Sequence, residues 1–246
     1  MLFRSGGINH LSWFTELSRG GEDLYPVLFD KARTDTETWE SDPVRFDMML
    51  HFGYFVTESS GHFSEYLPYY RKRKDLREHF MREKYRGESG FYANMWPKGR
   101  ASRDDTRRQV LAGEAPFEPK RTFEYCSFII EAIETNAPFV FHGTVPNTHL
   151  IENLPGDGVV EVACVADRRG VTPTHFGPLP PQCAAVCDGN MRMFDLAAQA
   201  CIEKSRERAV HAMLLDPLTA AVCSPAEIKK MTEEMFDAEA DLLPGF

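Results

Sequence analysis

The sequence predicts an α+β fold, in which a sheet of separated strands packs on helices concentrated towards the end of the chain. Apolar and β-prone residues form runs near residues 7–17, 138–145 and 159–165. From about residue 181 onward, apolar residues recur instead at helical spacing. Because strands and helices are segregated, we expect the three runs to share one sheet that packs on the late helices.

The first 60 residues predict a strand, a helix and a second short strand. The first strand, around residues 8–14, is expected to end at the Gly20–Gly21 pair. Asp42 followed by Pro43 indicates a helix start, since aspartate caps helices and proline suits their first position. This helix is expected to end near Gly53, before a β-prone run at 54–57.

The remaining elements follow the same signals. Residues 97–121 are highly charged without apolar periodicity, so we expect a loop or a weak surface segment. A helix is expected next, and its apolar positions are Phe123, Cys126, Ile130 and Ile133. The last third is expected to hold a long helix over 181–215 with one break, a short helix from 216–217, and a helix that begins at the capping box 224–227.

Charge and composition exclude several classes of function. The 246 residues include 28 Lys and Arg against 37 Asp and Glu, a net charge of −9, which disfavours nucleic-acid and anionic-membrane partners. No apolar run approaches the ~18 residues of a spanning helix. The N-terminus lacks the apolar segment of a secretory signal, so a cytoplasmic protein is expected. Six cysteines without a C-x-x-C pair are expected to be reduced core residues.

Familiar nucleotide and metal motifs are not found. No G-x-G-x-x-G segment joins a strand to a helix, and the glycines at 156–158 precede a strand instead. The sequence contains neither a P-loop nor an H-E-x-x-H motif. We therefore assign no cofactor-binding residue in this chain.

Two segments could carry chemistry. Asn9 and His10 lie within GGINHLSWF, where a neutral imidazole could bind a metal, although a lone histidine is usually structural. The segment 53–70 concentrates titratable groups beside Ser and Gly, which is typical either of a site or of a polar loop before an amphipathic helix. Its titratable side chains are Glu58, His62, Glu65, Tyr66, Tyr69 and Tyr70.

At these residues the chain resembles glycoside hydrolase family 4. GGINHLSWF is similar to the metal-binding histidine motif of that family, and GYFVTESSGHFSEYLPYYRK is similar to the corresponding segment of its α-galactosidase branch. NLPGDGVVEVACV and DPLTAAVCSPAEIKKM also resemble that branch, in the same order. The resemblance covers residues 6–246. It implies the C-terminal domain of the lactate/malate dehydrogenase-like, family 4 type.

The resemblance also implies a mechanism and its residues. NAD⁺ oxidises the sugar C3 hydroxyl, a tyrosine removes the C2 proton, the aglycone leaves by elimination, and a divalent metal, usually Mn²⁺, acts as Lewis acid. His10 matches the metal histidine and Asn9, its neighbour, is expected to contact the sugar. Tyr66 matches the catalytic base, with His62 and Glu65 as substrate-binding partners. Relatives often carry Glu where this chain has Gly61, which leaves the general acid unassigned.

The resemblance thus implies the C-terminal part of an NAD- and Mn²⁺-dependent α-galactosidase that acts on small α-galactosides and is homo-oligomeric when complete. In the family a Rossmann domain precedes the histidine motif, so this chain alone is expected to be inactive, and an apolar face near residues 5–15 and 50–70 is expected to be exposed. Two alternatives stay open. An α-galacturonidase or α-glucuronidase would need a cation for the sugar carboxylate, for which Arg45, Arg71 and Arg192 are candidates. The other alternative is an inactive sugar-binding remnant.

Overall fold

A computed structural model describes residues 1–246 and confirms the α+β class. Seven antiparallel strands form one sheet with the central order β3-β2-β1-β6-β5, while β4 pairs with β2 and β7 pairs with β6. The strands are β1 (Leu2–Ile8), β2 (Leu11–Arg19), β3 (Glu22–Asp23), β4 (Phe55–Val56), β5 (Phe139–Pro146), β6 (Val159–Asp167) and β7 (Gly170–Pro173).

Eleven α-helices accompany the sheet, and the four that follow β7 occupy the last third of the chain as predicted. They are α1 (Tyr25–Thr34), α2 (Thr36–Ser41), α3 (Pro43–Phe52), α4 (Ser60–Glu65), α5 (Lys74–Phe80), α6 (Phe91–Leu111), α7 (Cys126–Thr135), α8 (Pro181–Glu203), α9 (Arg206–Leu215), α10 (Pro217–Val222) and α11 (Pro225–Ala238). A 3₁₀ turn, Lys84–Arg86, lies between α5 and α6. None of the helices combines the length and the apolar character that crossing a bilayer requires.

The N-terminal run is a hairpin rather than the single predicted strand. β1 and β2 pair from Leu2↔Ser18 to Ile8↔Leu11, and the two residues between them, Asn9 and His10, form the turn. His10 has φ +65°, in the left-handed region where glycine is the usual residue. The prediction missed this turn because apolar, β-prone residues flank it on both sides. The two later runs are strands as predicted, and Gly7↔Glu161 joins β1 to β6 in the same sheet.

The charged segment 97–121 is another correction. The helix α6 extends to Leu111, and only the residues after it lack helical structure. None of the side chains of α6 is buried, so the helix leaves no apolar period in the sequence. The helix predicted around Phe123 begins three residues later, at Cys126, and Phe123 is 90% exposed.

The core lies between the sheet and helices α3, α4 and α8. Its fully buried side chains include Leu11, Trp13, Val44, Phe63, Val160, Val162, Cys183 and Cys187. The prediction of an exposed apolar face near residues 5–15 and 50–70 is therefore wrong, because those segments supply much of this core. Exposed large apolar side chains occur instead at scattered positions along the chain, which include Leu2, Leu111, Phe117, Phe123, Ile130, Val140, Ile202 and Leu242.

The cysteines are all free thiols, but they are not all core residues as predicted. Cys164, Cys183 and Cys187 are buried, whereas Cys126 and Cys201 are exposed. Burial raises the pKa of the Cys187 thiol to about 12, so this thiol stays protonated at neutral pH.

The capping box of α11 provides a test of the helix-start prediction. Ser224 accepts a hydrogen bond from the Glu227 amide, and the Glu227 carboxylate accepts one from the Ser224 amide at 2.7 Å. We expect Ser224→Ala to lower the free energy of unfolding by about 1 kcal/mol, because the Glu227 amide loses the hydroxyl that accepts its hydrogen bond. Urea denaturation measures this loss. Ser102→Ala, within exposed α6, is the control and should cost nothing; equal losses would contradict the capping role.

Candidate active site

The hairpin turn and the segment after β4 meet at one end of the sheet. β4 pairs with β2 through Trp13↔Val56, and the Thr57 amide extends this pairing to the Ser12 carbonyl at 2.8 Å. The next residue, Glu58, consequently lies beside the turn, where its Oε2 is 2.5 Å from His10 Nδ1. The strand pairing therefore brings together the two segments that sequence analysis selected.

Glu58 connects this contact to a second histidine. Its Oε1 is 3.4 Å from Nδ1 of His62, which lies one helical turn away in α4. The other ring nitrogen of His62, Nε2, is 2.9 Å from the Tyr92 hydroxyl of α6, and the two rings stack with centroids 5.4 Å apart. A row of four side chains thus extends from the hairpin turn to α6.

Tyr66 caps α4 and lies over the same turn. Its ring stacks on His10 with centroids 5.4 Å apart and planes 26° apart. Its other neighbour is Phe194 of α8, in edge-to-face contact at 6.2 Å. The structure therefore brings His10, His62 and Tyr66 together in one half-buried cluster.

Glu65 and Asn9, the other two residues predicted to bind substrate, make their contacts outside this cluster. Glu65 is exposed and pairs with Arg71 at 3.3 Å. Asn9 is exposed and lines a neighbouring cavity of about 410 Å³ together with Phe194 and Arg192. The cavity and the cluster share a boundary, since Phe194 contacts both the cavity and Tyr66.

Hydrogen bonding and burial perturb the titratable groups of the cluster. The hydrogen bond to Glu58 raises the pKa of His10 above 6.5, against the opposing effect of burial. Burial alone would raise the pKa of Glu58, but hydrogen bonds from His10 and from the Ser59 amide lower it to about 2. Burial, followed by the charges of Glu65 and Glu58, raises the pKa of Tyr66. The cluster therefore presents a carboxylate and a protonated phenol at neutral pH.

The donor set fits a divalent cation. His10, Glu58 and His62 can each offer one ligand atom, and these atoms lie within 4.8 Å of one another. Imidazole nitrogen and carboxylate oxygen are ligands that Mn²⁺ accepts. His10 Nε2 has no hydrogen-bond partner, whereas both nitrogens of His62 are engaged. His10 is therefore the histidine with a ring nitrogen available for a metal.

Comparison with known proteins now assigns the family. Residues 5–219 match the model of the family 4 glycosyl hydrolase C-terminal domain. The chain belongs to glycoside hydrolase family 4. An alpha-galactosidase of Bacillus subtilis is 40% identical over 99% of this chain and 55% of its own length. An alpha-galacturonidase of Lachnoclostridium phytofermentans is 26% identical over 97% of this chain and 53% of its own length. The chain thus spans about half the length of the curated relatives that it matches.

A solved family 4 structure supports the fold. The 6-phospho-alpha-glucosidase from gut microorganisms, crystallised in complex with NAD and Mn²⁺, superposes with a TM-score of 0.71 at 19% identity. The superposition covers 97% of this chain and 55% of that one. At this identity the likeness shows the fold, and the predicted family 4 C-terminal architecture is confirmed.

Two members of the cluster escaped the sequence analysis of this family 4 chain. Glu58 entered only as one of several titratable residues, although its spacing of four from His62 would place both on one face of a helical turn. Tyr92 left no signal, because α6 has no buried face. The three arginines proposed to bind a sugar carboxylate lie in different surroundings. Arg45 bonds to Asp42 and to the Val56 carbonyl, and Arg71 bonds to the Ser64 hydroxyl. Only Arg192 lines the cavity.

Gly61 has no room for a side chain. A Cβ there would lie 2.1 Å from the Tyr85 carbonyl oxygen, which belongs to the 3₁₀ turn. We expect Gly61→Ala to cost about 1–3 kcal/mol of unfolding free energy, because backbone must shift to accept the methyl group. Chemical denaturation measures this cost. Gly99→Ala is the matched control, since a Cβ at Gly99 meets nothing within 4 Å; an unchanged Gly61→Ala stability would show that the turn moves freely.

Proposed function

We propose that residues 6–246 form the substrate- and metal-binding part of an NAD- and divalent-metal-dependent α-galactosidase that hydrolyses O-glycosidic bonds. The observation that carries the proposal is the stacking of Tyr66 on His10, with their ring centroids 5.4 Å apart. One metal-bound sugar can reach both side chains. The 40% identity to an alpha-galactosidase over 99% of this chain supports the substrate class.

His10 would hold the metal through Nε2, while Glu58 and His62 lie beside it. When bound, NAD⁺ accepts a hydride from the sugar C3 and returns it, and Mn²⁺ acts as a Lewis acid on the sugar oxygens. The acidified C2 proton then needs a base. No residue of this chain is assigned to NAD, because the sequence contains no glycine-rich turn at a strand–helix junction.

Tyr66 is the proposed base for the C2 proton. In the bare chain, burial and two carboxylates keep its hydroxyl protonated, which opposes this role. A cation at His10, whose ring stacks on Tyr66, favours the phenolate because it offsets the charges of Glu65 and Glu58. The base is therefore generated only where the metal-bound substrate sits. Asn9 would contact the sugar hydroxyls from the cavity. His62 would do so only after releasing Glu58 or Tyr92, which engage its two ring nitrogens.

The cavity beside the cluster favours a neutral sugar. Its charged lining residues are Asp157, Asp195 and Arg192, so two carboxylates face one guanidinium. Arg192 is further neutralised by Asp188, at 3.3 Å. An anionic uronide would meet net negative charge here, whereas a galactoside carries none. We therefore place the α-galactosidase ahead of the α-galacturonidase.

A fusion protein tests the proposal. The part of the Bacillus subtilis alpha-galactosidase that precedes its family 4 C-terminal domain is joined to this chain and assayed with NAD⁺ and Mn²⁺. We expect hydrolysis of nitrophenyl α-galactoside, with kcat/KM at least about tenfold above that for the α-galacturonide. Intrinsic fluorescence quenching by NAD⁺ verifies that the fusion protein is folded. A preference for the uronide would select the galacturonidase, and a fusion protein that binds NAD⁺ but hydrolyses neither substrate would select the sugar-binding remnant.

A further inference from the structure

Glu58 holds two imidazoles with its two oxygens. Oε2 contacts Nδ1 of His10 at 2.5 Å, and Oε1 contacts Nδ1 of His62 at 3.4 Å. The carboxylate is itself fixed, because Oε1 also accepts hydrogen bonds from the Ser59 amide at 2.7 Å and from the Ser59 hydroxyl at 3.0 Å. Glu58 therefore occupies the centre of the cluster.

These contacts determine which ring nitrogens carry protons. A carboxylate only accepts hydrogen bonds, so both histidines must donate from Nδ1–H. In a neutral imidazole this leaves Nε2 as an acceptor. On His62, that acceptor receives the Tyr92 hydroxyl at 2.9 Å, whereas on His10 it has no partner. Only His10 thus presents an open lone pair.

We propose that Glu58 is a positioning residue, which fixes the Nδ1–H tautomer and the ring orientation of His10 so that Nε2 stays available to a divalent cation. The inference deepens the proposed function, since it rests on the metal role of His10. When a carboxylate that orients a metal-binding histidine in this way is replaced, the metal affinity typically falls about 10–100-fold.

Nitrogen–proton NMR correlation spectra of the His10 ring in the full chain test the tautomer directly. We expect the wild type and Glu58→Gln to show Nδ1–H, because the glutamine amide oxygen still accepts the proton. Glu58→Ala should change His10 to the Nε2–H form. Glu152→Gln is the matched control, since Glu152 pairs with His175 at 3.1 Å on the surface, and it should leave the His10 signals unchanged.

Titration with Mn²⁺ alone, followed by paramagnetic broadening of the His10 signals, gives the second readout. We expect the midpoint concentration to rise about tenfold or more in Glu58→Ala, less in Glu58→Gln, and not at all in Glu152→Gln. Retention of the Nδ1–H tautomer in a folded Glu58→Ala chain would overturn the proposal, whatever the Mn²⁺ midpoint. Neither readout needs galactosidase activity, so failure of the proposed function and failure of this inference are distinguishable.

Discussion

Tyr66→Phe is expected to lower kcat of the fusion protein by about 10²–10⁴-fold, the range that a positioned general base supplies. The variant keeps the ring that stacks on His10 and contacts Phe194, so the fold and the substrate contacts should survive. KM should consequently stay close to that of the wild type, because the hydroxyl acts on the C2 proton in the transition state. Steady-state kinetics with nitrophenyl α-galactoside measure both constants.

Tyr69→Phe is the control for this loss. Tyr69 lies three residues away, is 41% exposed, and makes its ring contact with Tyr70 rather than with the cluster. Removal of its hydroxyl should leave kcat unchanged. If Tyr66→Phe retained more than about a tenth of the wild-type kcat, Tyr66 would not be the base. The role that the resemblance to the family motif implies for this residue would then be wrong.

Trp13→Ala is expected to cost about 3–5 kcal/mol of unfolding free energy, the largest loss of stability that we expect in this chain. Trp13 is completely buried, stacks on Phe52 at 5.8 Å, and receives Phe63 edge-on at 5.5 Å. It also pairs with Val56, which positions the segment that leads to Glu58. The truncation would therefore leave a cavity directly beneath the proposed site. Guanidinium denaturation of the isolated chain measures the loss.

The matched control uses the same residue type on the surface. Trp96 of α6 is 50% exposed and contacts Arg103. Trp96→Ala should change the unfolding free energy by only about 0.5 kcal/mol, because little packing is lost. Similar losses in the two variants would show that the core described around Trp13 does not carry the stability of the domain.

The fold was predictable where a local signal reflects burial or capping. Strand β6 carries a mostly apolar run with alternating burial, and α11 begins at a complete capping box, so both kinds of element follow from the sequence. The turn at His10 and the helix α6 did not follow. A left-handed histidine replaces the expected glycine in the first case, and the absence of any buried side chain removes the periodicity in the second.

The residues of the candidate site also fall into those that the sequence could predict and those that it could not. His10, His62 and Tyr66 could be selected because their segments resemble family motifs, and the structure brings them together. Their roles stay proposals. The contacts of Glu58 with His10 and of Tyr92 with His62 could not be predicted, because they join residues 48 and 30 positions apart in the chain. Such pairings arise from strand register and helix packing, which no local pattern encodes.

Hydrolysis of an α-galactoside in deuterated water tests the central claim most directly. The fusion protein is supplied with NAD⁺ and Mn²⁺, and the released galactose is analysed by NMR. Removal of the C2 proton by Tyr66 and its later replacement from solvent predict deuterium at C2 of the product. Galactose released at full rate with only ordinary hydrogen at C2 would contradict the account, because ordinary displacement at C1 never breaks that bond.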